Sequence, residues 1–305
     1  MKKDQLSWEE FFNESKSRTS IPNKISEFNR LVAHTKNFFI ISGYGAFTPG
    51  YLLIISKDFL PSFGFIEEKE KLNELKFLIK LVKETIDQEL NRNSVVFEHG
   101  MCGCMGGLDR AHIHIMSIPK ETNEKSISNA IDLTLFNRKA GIEYIEYNNF
   151  KLQNLHDINH IYDELISKKE KSDQFKIVGK LLKKKDIQNL STEMWPTITL
   201  DHLKKGGHYV YFKSDFEIAS FLTTNNFETQ FGREVVYQNE LILNNKFKDR
   251  VEKLKNENQN LKVWRWQHYT FEEDILNSMK IAKIGLEKLK KKYQKDCNEV
   301  ELKVI

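Results

Sequence analysis

Two histidines, His112 and His114, stand two residues apart in an otherwise apolar run, Ala111-His112-Ile113-His114-Ile115-Met116. Imidazole changes charge near neutral pH and can act as nucleophile, proton carrier or metal ligand. Side chains alternate faces along a strand, so a spacing of two turns both rings the same way. Arg110 joins them by the same parity, while Ala111, Ile113 and Ile115 cover the other face. Just upstream, Gly100, Gly103, Gly106 and Gly107 fall within one loop. Backbone N–H groups can approach an anion closely where no Cβ intervenes, so a glycine-rich loop running into such a strand suits phosphate.

On spacing alone, three readings stand. Both imidazoles can be hydrogen-bonded and chemically idle. They can bind metal, since His99, Cys102 and Cys104 lie nearby, although Cys-x-Cys is a less usual zinc spacing than Cys-x-x-Cys. They can also serve nucleophilic or phosphate chemistry.

The surrounding elements must hold these residues in place. Phe38 to Ile41 and Tyr51 to Lys57 are predicted strands, joined through Gly43, Gly45 and the turn Pro49-Gly50 into an antiparallel hairpin. Leu72, Leu75, Ile79, Val82, Ile86 and Leu90 recur at spacings of three and four, which predicts a long helix over 66–90. Strands over 95–98 and 111–118 flank the glycine-rich loop, and Pro119 ends the second. Strand, strand, long helix, strand, strand gives an α+β fold with an antiparallel sheet.

Short helices are predicted over 7–17 and 24–33, and a further helix over 124–139. Beyond lie a strand at 142–147, a helix at 155–167 and a Lys-rich stretch at 168–190, the best linker candidate. A strand at 208–212, a helix near 228–243, an amphipathic segment at 246–260 and a long final helix through Phe271, Ile275, Met279, Ala282, Leu286 and Leu289 complete the chain. The division expected is a core over residues 1–150, with N-terminal helices, and a C-terminal α+β extension over 151–305 that is helical at its end.

Composition narrows the class. The chain has 305 residues, with 47 Lys and Arg against 43 Asp and Glu, a net charge of +4. That surplus is too mild to argue for nucleic acid. The longest apolar runs, such as Tyr51 to Ile55, are too short to span a membrane, and the N-terminus lacks the apolar segment of a signal peptide. Three cysteines do not make a disulfide framework. A cytoplasmic protein is expected.

The order of elements and the residues within them resemble the histidine triad superfamily of nucleotide hydrolases and transferases. Thr48-Pro49-Gly50-Tyr51-Leu52-Leu53-Ile54-Ile55 resembles the family's first hairpin, with Tyr51 where a histidine often stands. Asp109-Arg110-Ala111-His112-Ile113-His114-Ile115-Met116 resembles the signature in which three histidines alternate with apolar residues. Phe97-Glu98-His99-Gly100 is similar to a microbial subgroup, and Thr229-Gln230-Phe231-Gly232-Arg233 with Trp264-Arg265-Trp266 is more weakly similar to its C-terminal half. The likeness covers residues 35–120 best.

The resemblance implies a histidine-triad-like antiparallel sheet with a long helix and a nucleotide-binding core over 1–150. It makes His112 the nucleophile toward a nucleotide α-phosphate, with a covalent nucleotidyl-histidine intermediate, and His114 a phosphate contact. The family orients the nucleophile through a main-chain carbonyl at the first motif position, here Arg110, a role that survives a change of side chain. The Arg110 side chain is expected to add positive charge beside the phosphates and to lower the pKa of His112. His99, Gly106 and Gly107 are further phosphate-side candidates, and Cys102 and Cys104 are small loop residues. Ile41, Gly43 and Phe47 are candidates for the nucleoside, and Gln230 and Arg233 for phosphate or leaving group. No cofactor and no metal are implied; the partner is a nucleotide-containing small molecule, and a homodimer through the long helix is compatible. Because Arg110 replaces the first histidine, the alternative is a non-catalytic module that binds nucleotide or RNA.

Overall fold

The computed structural model describes residues 7–18, 29–100, 110–137, 177–179, 208–216, 218–223, 230–268 and 271–305. Helix α1 spans Trp8–Arg18 and is followed by strands β1 (Leu31–His34), β2 (Phe38–Ser42) and β3 (Leu52–Ser56). The long helix α2 (Lys69–Leu90) leads to β4 (Asn93–Gly100) and β5 (His112–Ile118), then to α3 (Glu124–Asn137). Next come β6 (Ile177–Gly179), β7 (His208–Lys213) and β8 (Ile218–Thr223). Helices α4 (Phe231–Leu243), α5 (Asn245–Glu257), α6 (Glu272–Lys292) and α7 (Gln294–Glu299) precede a short β9 (Lys303–Val304).

The described strands form one sheet in the order β6-β8-β7-β4-β5-β3-β2-β1-β9, with every neighbouring pair antiparallel. The fold is thus α+β, as the pattern of elements predicts. Strands β2 and β3 are apolar on both faces and buried along their whole length, so they must lie inside a sheet covered on both sides. The second half is built into that sheet. Strand β7 extends it beyond β4, and β9 pairs with β1 at the opposite edge.

Two apolar layers cover the sheet. On one face, Leu75, Leu78, Leu81, Val82 and Ile86 of α2 pack with Ile40, Ile54, Ile113 and Ile115, joined by Ala282, Leu286 and Leu289 of α6. On the other, Ile127 and Ile131 of α3, Val235 and Val236 of α4 and Val251 of α5 meet Ile41, Ile55, Phe97 and Met116. Helix α6 contributes Phe271 and Ile275 to this second layer and its later turns to the first. The apolar surface of α2 is therefore taken by α6 of the same chain. The cap of α2 is Asn91 at φ 51°, a left-handed conformation that Asn tolerates and that stops the helix ahead of β4.

Most predicted elements fall within a few residues of those observed. The helix expected over 24–33 is different: Leu31–His34 is a strand, because it pairs with both β2 and β9. Strands β8 and β9 and helix α7 are additions. The strand expected at 142–147 and the helix at 155–167 lie outside the described residues, as does the Lys-rich stretch apart from 177–179. No helix among the described residues is long and apolar enough to cross a membrane.

Candidate active site

Strand β5 lies between β3 and β4, and this register assembles the site. His112 is opposite Ile55; His114 is opposite Leu53 on one side and Phe97 on the other. The two imidazoles share a face, as their spacing requires, with ring centroids 4.8 Å apart. Both residues are half-buried.

Each ring is held by its Nδ1. His112 Nδ1 is 2.8 Å from the main-chain oxygen of Arg110. A carbonyl only accepts, so Nδ1 carries the proton and the lone pair is left on Nε2. Burial lowers the pKa of His112, and the hydrogen bond to Arg110 opposes part of that effect.

His114 Nδ1 is 2.8 Å from the Tyr51 hydroxyl. Its ring lies nearly parallel to Phe97, with centroids 4.6 Å apart at 6°, and to Tyr51 at 6.0 Å and 12°. Phe97 continues the stack to Phe212 of β7 at 6.2 Å. The His114 pKa lies well below the ordinary histidine value, through burial first and then through His112, His99 and Arg233. Of these, Arg233 is a fixed cation, and a histidine adds positive charge only when protonated.

Arg110 enters the site through its backbone. Its guanidinium donates to the Lys57 carbonyl at 2.9 Å and lies 5.8 Å from the Phe59 ring centroid. The expectation that its charge lowers the pKa of His112 is therefore corrected: desolvation lowers it, and what Arg110 offers the ring is a carbonyl. His99 stands edge-on to Phe97 at 6.3 Å, on the face of the two motif histidines. Gly106, Gly107, Cys102 and Cys104 lie outside the described residues. Among the described residues, no three His, Cys, Asp or Glu side chains are placed to share a metal ion.

The three residues expected at the nucleoside are interior. Ile41 is fully buried in β2, and Phe47 packs edge-on to Tyr237 at 6.1 Å and against Phe247 at 5.8 Å. At Gly43 a Cβ would sit 2.2 Å from the Tyr51 ring, so this glycine makes room for the hydroxyl-bearing ring that holds His114.

The second half supplies the other surprise. Arg233 is neither a surface ion-pair partner nor open to solvent, being 1% exposed. Its guanidinium donates to the carbonyls of Trp264 (2.6 Å), Gly45 (2.6 Å) and Tyr44 (3.4 Å) and lies 4.9 Å from the Tyr51 ring centroid. Gly45 has φ +65°, and a Cβ there would meet the Trp266 backbone at 2.5 Å and Arg233 at 3.1 Å. Gln230 ties the same turn together: its amide oxygen accepts from the Trp266 N–H at 2.7 Å, and its amide nitrogen donates to Gln267 at 3.0 Å. At Gly232 a Cβ would lie 2.3 Å from the Phe97 ring, so α4 seats directly on the stack that flanks His114.

Tyr51 is the site residue that motif spacing leaves unassigned. The signal was present: Tyr51, Leu53 and Ile55 share a parity, and that parity faces the histidines. Comparison with known proteins gives no matching family model and no matching curated protein.

Proposed function

We propose that the chain is a histidine-triad-like nucleotidyl hydrolase or transferase that works through His112. The observation that carries this reading is the 2.8 Å contact between His112 Nδ1 and the Arg110 carbonyl. It leaves a neutral imidazole with its Nε2 lone pair available, the form a nucleophile needs. Burial keeps the ring neutral at physiological pH. The first motif position acts here through its main chain, so an arginine in that place is compatible with catalysis. The order of strands and the long helix behind them support the same family likeness.

The chemistry follows in two steps. His112 Nε2 bonds to the α-phosphorus of a nucleotide ester, anhydride or amidate as the bond to the leaving group breaks. The leaving group departs with that electron pair and takes up a proton, for which His99, on the same face, is the candidate donor. In the second step a water oxygen, or another acceptor, bonds to phosphorus as the P–N bond breaks, its proton returning to the group that protonated the leaving group; the nucleotide is released and the lone pair restored. The Arg233 charge near His114 favours the charge that builds on the phosphoryl oxygens.

Intact-protein mass spectrometry tests this reading. The full chain is mixed briefly and cold with a panel of nucleotide sugars and dinucleoside polyphosphates, beside His112→Ala. A nucleotidyl mass increment on the wild type alone is expected. Equal turnover of the panel by His112→Ala would sink the proposal; tight nucleotide or RNA binding with no product from either protein would favour a binding module.

A further inference from the structure

Two histidines in one strand, two residues apart, meet opposite kinds of partner. His112 Nδ1 faces a carbonyl, which can only accept. His114 Nδ1 faces a hydroxyl, which can donate or accept. The contact by itself leaves the second tautomer open. What decides it is the group behind the hydroxyl.

That group is Arg233. A guanidinium has donors and no acceptor. Three backbone carbonyls, from Trp264, Gly45 and Tyr44, fix its plane. From there it lies 4.9 Å from the Tyr51 ring centroid, near enough for the Tyr51 side chain to offset part of the cost of burying its charge. A hydroxyl dipole beside a fixed positive charge turns its oxygen toward that charge, so the Tyr51 proton is directed to His114 Nδ1. A neutral His114 that accepts at Nδ1 carries its proton on Nε2.

We propose that Arg233 and Tyr51 are a positioning pair, supplied by α4 and by the start of β3, that holds His114 as the Nε2–H tautomer opposite to that of His112. The pair of rings then offers one phosphate two complementary contacts: a lone pair on His112 Nε2 for phosphorus, and an N–H on His114 Nε2 for a phosphoryl oxygen. The role in catalysis rests on the function proposed above; the tautomer itself does not. The arrangement also explains why the second half of the chain seats a fully buried arginine beside Tyr51, a residue 182 positions earlier in sequence. Gly43 and Gly45 are the local requirement. One clears the Tyr51 ring, and the other lets the Arg233 guanidinium and the Trp266 backbone close over it.

The test reads the tautomers without substrate. Nitrogen-15 histidine labelling of the full chain, with long-range proton–nitrogen correlation at pH 8, assigns each ring by comparison with His112→Asn and His114→Asn. The expected result is a proton on Nδ1 of His112 and on Nε2 of His114. Tyr51→Phe keeps the ring and the stack but removes the hydroxyl; it should shift His114 toward the Nδ1–H form and leave His112 unchanged. The same variant should slow nucleotidylation of His112 by about tenfold, the scale of one hydrogen bond. A wild-type His114 protonated on Nδ1, or a Tyr51→Phe spectrum with His114 unmoved, overturns the proposal. Because Arg233→Met risks the fold, Arg233→Lys is the companion variant. It retains charge, loses the planar fork and should broaden His114 into a mixture of tautomers. Failure of nucleotidylation in the wild type, with the tautomers as expected, would instead count against the enzymatic reading alone.

Discussion

His112 and His114 both pay for burial in the same coin, a preference for the neutral ring, and this has a measurable consequence for stability. Their pKa values are lowered in the folded chain from 6.5, while the unfolded chain regains the ordinary value. Between the lowered folded pKa and 6.5 the unfolded state binds more protons than the native state, so stability rises with pH across that window. The contribution is complete above about pH 6.5 and is lost as pH falls through the folded values. The urea midpoint should therefore drop between pH 7.5 and pH 5, where most carboxylates remain ionised. His114→Gln, which has nothing to titrate, should show a smaller drop than the wild type. An equal drop in both proteins would place the proton uptake elsewhere, with His34 and His268, also lowered by burial, the next residues to replace.

At the scale of elements, the site depends on where β3 begins, and α6 fixes that point. The Ser278 hydroxyl accepts from the Gly50 N–H at 2.9 Å and the Tyr51 N–H at 3.2 Å while donating to the Asp274 carbonyl at 2.5 Å. Ser278→Ala leaves two buried N–H groups unpaired, which should cost about 1–3 kcal/mol in the urea-extrapolated stability. It should also loosen the Tyr51 contact to His114. A variant as stable as the wild type would show that these N–H groups find other partners. The elements themselves were largely legible: a continuous apolar run marks β3, alternation marks β5, threefold and fourfold spacing marks α2 and α6, and strand parity alone brings the two imidazoles together. The Tyr51–Arg233 relation was not legible, because it joins residues far apart in the chain through a turn whose shape depends on Gly45. Ile41 and Phe47 could be placed beside the hairpin but not given a role, for a related reason. An apolar side chain beside a hairpin reads the same whether it lines a pocket or fills a core, and only the packing of α4 and α5 over that face decides between them. The strand Leu31–His34 was hidden because its partners, β2 and β9, come from opposite ends of the sequence.

For the whole molecule, the question is whether the two halves are separable. The sheet says they are not. Removing everything after residue 150 would strip β7 from β4 and β9 from β1, exposing unpaired edges on both sides of the remaining strands. It would also uncover the histidine-bearing face, since Val235 and Val236 of α4 and Val251 of α5 lie in the same core as Phe97 and Met116. A part-buried ion pair crosses the same divide: Arg92, just before β4, meets Glu240 of α4, whose side chain is fully buried. Removing Arg92 would leave the buried Glu240 carboxylate without its cation, so the halves are coupled by charge as well as by apolar contact. The full chain should accordingly unfold in one cooperative transition, with tryptophan fluorescence and far-ultraviolet circular dichroism superimposing on a common urea midpoint. Trp8 reports on the first half and Trp195, Trp264 and Trp266 on the second. A Trp8→Phe variant, whose fluorescence comes from the second half alone, should keep that coincidence. Two separated midpoints would mean that the histidine-bearing strand and the helix bearing Arg233 can part, and that the site is assembled by docking rather than by folding.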